Sequence, residues 1–525
     1  MPEKIIVPYR LAEDDTVSYE IAEYKEYAPV WNKCRTIYKG GDSVKNERER
    51  FLPKLTDMEF DEYDNYLKRA LFYNATKRTV DGLVGALFQK DPHLSYPTKN
   101  DDDLHKRQEE IDDFFDNLSL QKVPFTLLLK DICREVIIVG RVGILVDAQM
   151  ESAERDEKIY LTQYTAESII NWHTEIIDSC PTLTLVVLKE VVKELKGKYK
   201  PKYKIQYRVL VLNKNMDSDN KYVYENYVYA EVTKDGKTEY EEKAHNTPTM
   251  KGMTFDKIPF YFVNAESTTA EIHPSPINDL VNINISHYMS SADLEHGRHF
   301  TGLPTAWIAG IDAQDAKNKS FYIGSGKAWI AGDPRAKAGF LEFTGQGLSA
   351  LENALKEKQD QMAVLGARLL EMPKAAVEAS DTQKTRKSSE NSVLASITDN
   401  VSLIMTRVCM QIAEWRGVIE HNKIEVAIQK DYTVAEADPQ LLAQLLQMIG
   451  NGTLSYDSFF FNLVNMQLVP AGRTADDEMS LIENAGVGDL NPVKDSEMES
   501  DDDGMDDKDT DKDNDAVKKA NGAKL

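Results

Sequence analysis

Residues 58–90 carry apolar side chains at helical spacing: Phe60, Tyr63, Leu67 and Leu71, then Val80, Leu83 and Leu87, stopping before Asp91-Pro92. Recurrence at three and four positions gathers these on one stripe and predicts an amphipathic helical region. A second helix is expected over about residues 122–138, running into Gly140 and the strand-like VGILVDA. The stretch IYLTQYTAESIINW then reads as strand, turn and short helix. From 182 to 232 the runs LTLVVLKEVV, KYKIQYRVLVLN and KYVYENYVYAEV are rich in β-branched residues and tyrosine. Such residues suit a pleated, half-buried surface, so antiparallel strands are expected. Roughly the first 270 residues therefore read as an α+β domain.

Beyond that point the pattern changes. Pro274-Ser275-Pro276 opens a helix with Ile277, Leu280, Val281, Ile285, Tyr288 and Ala292 on one broad stripe. Gly302-Leu303-Pro304 ends it, and TAWIAG, SFYIGSGKAWIAG and GFLEF follow as short strands punctuated by glycine. The next helix sets Leu348, Leu351, Leu355, Lys358, Met362, Leu365 and Leu369 on a heptad seam interrupted once by lysine, and stops at Met372-Pro373. The polar stretch PKAAVEASDTQKTRKSSE, residues 373–390, is expected to be a loop. A very long helix follows, with Leu394, Ile397, Val401, Ile404, Val408, Ile412, Trp415 and Ile419 at the same spacing. After a strand in KIEVAIQKD, Asp438, Pro439 and Gly450 mark the cap, first turn and end of one helix, and Ser455 caps another.

At 525 residues the chain is long enough for three or four packing units. The formal charge is −24, and residues 495–525 hold twelve Asp and Glu against five Lys. That C-terminal tail, acidic and nearly free of aromatics from about 491, is expected to be disordered. The remainder is acidic too, which argues against a protein that wraps nucleic acid on a broad basic face but leaves room for local basic elements. Cys34, Cys133, Cys180 and Cys409 are scattered without CxxC pairs and are expected to be buried thiols in a reducing compartment. The N-terminal MPEKIIVPYRLAEDD has no long apolar run, and VIIVGRVGILV at 136–146 is short and contains Arg141. A cytoplasmic product without a membrane span is expected.

The densest candidate chemistry is HYMSSADLEHGRHF, residues 287–300, with His287, His296 and His299 beside Asp293 and Glu295. At 100° per residue, His296 and His299 lie about 60° apart and His287 about 180° from His296, so one helix cannot aim all three at one ion. Arg298, between the nearer pair, would oppose a metal. No metal is expected, and a solvated helix face is the plainer reading. IGSGKAW at 323–329 lacks the spacing of a phosphate-binding loop and reads as a tight β-turn, as does GRVG at 140–143. Asp509, Asp511, Asp513 and Asp515 alternate as in a calcium loop but lack its glycine and terminal glutamate. No local signature of a nucleophilic triad is present.

The stretches YAPVWNKCRTIYKGG, YLKRALFYNATKRTVDGLVGALFQKDP at 66–92, AESIINW at 166–172 and SADLEHGRHFTGLPTAWIAG at 291–310 resemble the portal proteins of tailed bacteriophages. Within these the similarity is to a portal-like phage family catalogued as a domain of unknown function, and it covers roughly residues 25–470. The resemblance implies an α+β wing over 1–273, a first stem helix over 274–299, a small β-rich clip over 300–346 and a second stem helix over 347–372. It further implies a tunnel loop over 373–390, a long tunnel helix over 391–421, a C-terminal wing or crown region over 422–490 and the acidic tail over 491–525.

On that resemblance the chain would be a non-enzymatic, cofactor-free subunit of a homo-oligomeric ring, expected to hold twelve copies, at a capsid vertex. Its partners would be the major capsid protein, the terminase large subunit during packaging, a tail adaptor, and double-stranded DNA passing non-specifically through the channel. It would be made in the bacterial host cytoplasm and reside in the virion. Lys374, Lys384, Arg386 and Lys387 would face DNA from the tunnel loop. Trp307, Lys327, Trp329, Arg335 and Lys337 would form the clip surface toward motor or adaptor, and Leu351, Leu355, Met362, Leu365 and Leu369 would pack the stem in the ring. Two other readings remain open, a metal-dependent hydrolase centred on the 287–299 helix and another ring component of a phage head or tail.

Overall fold

A computed structural model describes residues 16–99, 104–119, 121–149, 158–214, 222–234, 237–250, 252–302, 305–310, 334–341, 346–370, 393–430, 439–465, 468–469 and 473–484. The architecture is α+β, as the pattern predicts. In chain order the body opens with α1 (Ala22–Lys39), α2 (Gly41–Asn46), α3 (Phe60–Arg69), α4 (Ala75–Leu87), β1 (His93–Ser95), α5 (Leu104–Asp116) and α6 (Phe125–Val139). The amphipathic region at 58–90 is thus two helices. Asn74 starts the second by accepting a hydrogen bond from the Lys77 backbone N–H at 2.9 Å, a local cap that interrupts the stripe.

Helix α6 is the central helix of the body, with Leu129, Ile132, Cys133 and Val136 through Val139 all buried. Gly140 ends it in the left-handed region at φ 84°. A side chain there would press on the carbonyls of Pro274 and His273 at 3.0–3.1 Å, so the turn requires glycine twice over. The chain then enters β2 (Arg141–Gln149), the middle strand of a three-stranded sheet with β3 (Lys158–Thr165) and β11 (Phe260–Asn264).

Strands β4 (Ile169–Ile177), β5 (Cys180–Lys196), β6 (Lys200–Lys214), β7 (Tyr222–Lys234) and β8 (Lys237–Asn246) form an antiparallel meander in sequence order. Two short strands, β9 (Thr249–Met250) and β10 (Met253–Thr254), precede β11. The short helix expected in SIINW is instead the start of β4. Only Ala166–Ser168 makes a helical turn, and from Ile169 the chain pairs with Leu188, Val187 and Val186 of β5. Ile169 and Ile170 are both fully buried there, so pairing and packing decide the conformation. Cys180 also departs from expectation. It is exposed at the hairpin between β4 and β5, whereas Cys34, Cys133 and Cys409 are buried.

Two helices joined through a ribbon then leave and re-enter the body: α7 (Asn278–Gly302), β12 (Thr305–Ala309), β13 (Lys337–Leu341) and α8 (Gln346–Leu370). Next comes α9 (Val393–Trp415), with eleven buried residues between Leu394 and Trp415. By length and composition α9 could cross a membrane, but its apolar positions are in the body's core. It packs on β11 and α6, where Tyr261 donates to Gln411 Oε1 at 2.7 Å and Trp415 Nε1 donates to the Thr249 carbonyl at 3.1 Å. The helix is shorter than the periodicity suggests. Gly417 turns the chain at φ 88°, and Ile419, next in the heptad spacing, is left 92% exposed.

The strand expected in KIEVAIQKD is β14 (Glu425–Ala427), paired with β1. Helices α10 (Pro439–Gly450), α11 (Tyr456–Asn465) and α12 (Ala475–Asn484) follow, and Ser455 Oγ accepts from the Ser458 N–H at 3.2 Å as the cap of α11. The cap Asp438 and the acidic tail lie outside the described residues.

Candidate functional site

The segment that departs from the body, residues 278–370, is built from the base upward. Ser275 donates to the Ile138 carbonyl at 2.7 Å, and Ile277 and Val281 enter the body's core, which seats the start of α7 beside the end of α6. One turn on, buried Asn284 accepts from both the backbone N–H and the hydroxyl of Thr76, at 3.2 and 2.8 Å, and donates to the Tyr73 carbonyl at 2.8 Å. A single amide therefore satisfies the Thr76 N–H, one of those α4 leaves open in its first turn, and also bonds the Tyr73 carbonyl just before the helix. Lys33 donates to Asn282 at 2.7 Å from α1.

Farther along α7, the histidines have different neighbours. His287 is 4% exposed, with Tyr73 against its ring at 5.8 Å between centroids. Gln359 Nε2 lies 3.2 Å from its Nε2, and burial, aided by the Lys358 cation, holds its pKa below the ordinary histidine value. His296 meets Tyr66 edge-on at 5.2 Å and Phe300 at 4.7 Å, and burial followed by Arg69 lowers its pKa too. Tyr66 donates to Asp293 at 2.6 Å, and Glu295 accepts from Arg298 at 2.9 Å. The solvated helix face read from the sequence is thus corrected for His287, which is buried under Tyr73. That aromatic neighbour lies 214 positions away in sequence and leaves no local trace. Among the described residues no group of three His, Cys, Asp or Glu side chains could hold a metal ion.

Helices α7 and α8 run antiparallel, because contacts that rise along one descend along the other. Leu280 packs with Met362, His287 meets Gln359, Arg298 donates to Glu352 at 2.8 Å, and Gly297 leaves room for Leu348. The lysine that interrupts the heptad seam has a specific use. Lys358 donates to the Ser286 carbonyl at 3.1 Å and to Ser290 Oγ at 2.6 Å, so the seam position is polar because its partner surface is polar. Gly366 allows α8 to approach Thr79 of α4, whose Cγ2 would lie 3.0 Å from a Cβ there.

Of the seam residues expected to pack between subunits, Met362 and Leu365 pack within the chain with Ala75, Leu280 and Ile283. The heptad spacing shows that a partner exists but not which helix supplies it. Leu351 and Leu355 are half-buried, and Leu369 lies in the last turn of α8. On the ribbon, Trp307 faces Gly339 across the β12–β13 pair, and its ring would sit 3.2–3.3 Å from any Cβ at that position. Trp307, Arg335 and Lys337 are exposed. Lys327 and Trp329, and the loop residues Lys374, Lys384, Arg386 and Lys387, lie outside the described residues.

Asn284, Tyr66, Lys358 and Gln359 were not singled out by sequence reasoning, although the lysine's intrusion into an apolar seam was a visible signal for one of them.

A family model described as a domain of unknown function, DUF4055, matches residues 276–416, the span that holds α7, the ribbon, α8 and α9. No curated protein matches the chain. Among solved structures, the chain is similar to one from the neck of an empty GTA particle, at 13% identity and a TM-score of 0.34, over 77% of this chain and 93% of the other. It is likewise similar to one from the virion of a native gene transfer agent (GTA) particle, at 13% identity and a TM-score of 0.35, over 84% and 99%.

Proposed function

We propose that the chain is a structural subunit of a portal ring in a tailed-phage type of particle, through which double-stranded DNA is packaged and ejected. The observation that carries this reading is the excursion 278–370. Two antiparallel helices leave an α+β body, join through an exposed two-stranded ribbon and return toward a helix whose apolar stripe lies in the body's core. That order of elements supports a reading of them as wing, stem, clip, stem and tunnel helix.

The chemistry of the parts suits the role. Only Met362 is deeply buried on the part of α8 whose side chains are described, and Val364 is half-exposed, so the helix offers surface to lateral neighbours in a closed ring. The ribbon presents Trp307, Arg335 and Lys337, and with Lys327 and Trp329 from the same insert it would meet first the terminase motor and then the tail adaptor. In the loop 373–390, Lys374, Lys384, Arg386 and Lys387 would touch phosphates weakly. An acidic wall, in a chain of −24, would let the duplex slide. The major capsid protein would surround the ring in the virion, and no cofactor is called for.

Electron micrographs of the purified protein test the reading: rings with an axial hole are expected, and a compact monomer would overturn it. Changing Lys384, Arg386 and Lys387 together to serine should leave rings and procapsids normal while reducing DNA packaging or retention. Normal packaging in that variant would remove the loop from the mechanism.

A further inference from the structure

The largest departure from the chain's acidic character within the described residues is the hairpin between β5 and β6. Residues 193–204, KELKGKYKPKYK, hold six lysines and one glutamate. The strands continue to the tip, where Lys196 pairs with Lys200 and Gly197 turns the chain at φ 74°. Residues directly opposite share a face. One face of the hairpin therefore carries Lys196, Lys200, Lys202 and Lys204 with Glu194, and the other carries Lys193, Leu195, Pro201 and Tyr203.

On the first face Lys200 and Lys202 are exposed, and Lys204 lies 2.5 Å from Glu194. Lys243 of β8 stands 3.9 Å from the same carboxylate. The lone acid is thus covered by cations, and Lys204 first, then Lys243 and Lys202, hold its pKa below the usual carboxylate range. The ridge is left as a row of positive charge whose members recur every second residue, about 6.8 Å apart along a strand.

We propose that this lysine ridge is the docking surface for the chain's own acidic C-terminal segment, residues 495–525. The segment holds twelve carboxylates against five lysines, and its Asp509, Asp511, Asp513 and Asp515 recur at every second position. Laid out as an extended chain, those four carboxylates fall on one side with the same two-residue period as Lys200, Lys202 and Lys204. From Asn484, the last described residue, the 25 residues to Asp509 could span on the order of 80 Å when extended. A free polyanion such as duplex DNA approaches against the field of a −24 chain, whereas a tethered tail is already present at high effective concentration. The contact is held by exposed ion pairs, so it is weak, reversible and salt-sensitive.

The test uses the full chain. A zero-length carbodiimide reagent joins carboxylates to amines only where they meet, and mass spectrometry of the digest reads the pairs. Cross-links from Lys198, Lys200 or Lys202 to Asp501–Asp515 are expected at low salt, falling at least about tenfold at ~1 M salt, where the Debye length is about 3 Å. In Lys198→Glu/Lys200→Glu/Lys202→Glu, tail cross-links from Lys196 and Lys204, whose amines remain, should fall equally. Cross-links to Asp501, Asp502, Asp503, Asp506 and Asp507, which keep their carboxylates, should also fall in Asp509→Asn/Asp511→Asn/Asp513→Asn/Asp515→Asn. Tail cross-links spread evenly over surface lysines, or unchanged in either variant, would overturn the proposal. So would absence of tail cross-links together with binding of a labelled DNA duplex that the lysine variant loses, which would make the ridge a nucleic-acid surface.

Discussion

Helices α8 and α9 have nearly the same length and heptad spacing, yet they are held by different physics. Eleven residues of α9 are buried, and its buried apolar side chains belong to the body's core. Helix α8 has one deeply buried apolar side chain among those described, Met362, and docks on α7 through Lys358, Gln359, Glu352 and a glycine-lined approach. Apolar burial is non-directional and tolerates small shifts, whereas a buried hydrogen bond is satisfied in one geometry only. The body is therefore stabilised in bulk, and the helix pair is held in register. In the ring proposed above, a projecting element would benefit from the second kind of constraint.

Four changes probe that contrast, from the strongest to the weakest. Ile412→Ala in α9 removes a fully buried side chain from the main core and should cost about 2–5 kcal/mol, read as a lower denaturation midpoint of the whole body. A local loss confined to the helix pair would break the comparison. Asn284→Ala should cost about 1–3 kcal/mol, because the buried Thr76 N–H loses its partner while the Tyr73 carbonyl keeps only the Ala75 N–H. Hydrogen exchange should rise at the base of α7 and the start of α4 while α9 stays protected. Uniform exchange in both regions would show that the pair and the body do not differ.

The third change concerns pH. The folded-state pKa of His287 lies below its unfolded value, chiefly through burial, and Gln359 can donate to its Nε2 only when that nitrogen is unprotonated. Below the unfolded pKa the unfolded chain binds the extra proton first, so stability is present above about pH 6.5 and is lost as pH falls through the folded value. His287→Gln should flatten the fall in melting temperature from pH 6.5 to about 5, above the range where carboxylates titrate. An unchanged slope would take His287 out of the pair's stability. Last, Arg298→Ala breaks exposed pairs to Glu295 and Glu352 and should barely move the melting temperature at ordinary salt. A large drop would mean that surface charge, and not the buried polar contacts, sets the register.

Local signals carried far along this chain. The stripe Leu394 through Trp415 is a buried helix, the β-branched runs from 182 to 232 are adjacent strands, and Ser455 caps α11. Each depends on residues within a few positions of one another, where spacing and capping act directly. Other outcomes were set by partners far away in sequence. SIINW is a strand because β5 offers it a ladder, Ile419 is exposed because Gly417 turns the chain first, and Met362 and Leu365 of the α8 seam pack with Leu280, Ile283 and Ala75.

What the sequence by itself determined is therefore the set of elements, their order and their apolar faces, since helical and strand periods are properties of neighbouring residues. The tertiary structure alone decided which polar groups are buried and what satisfies them. Asn284 finds Thr76 across 208 positions, and Lys358 finds Ser290 across 68. A buried donor or acceptor must be matched wherever the fold brings a partner, and no local pattern encodes that address.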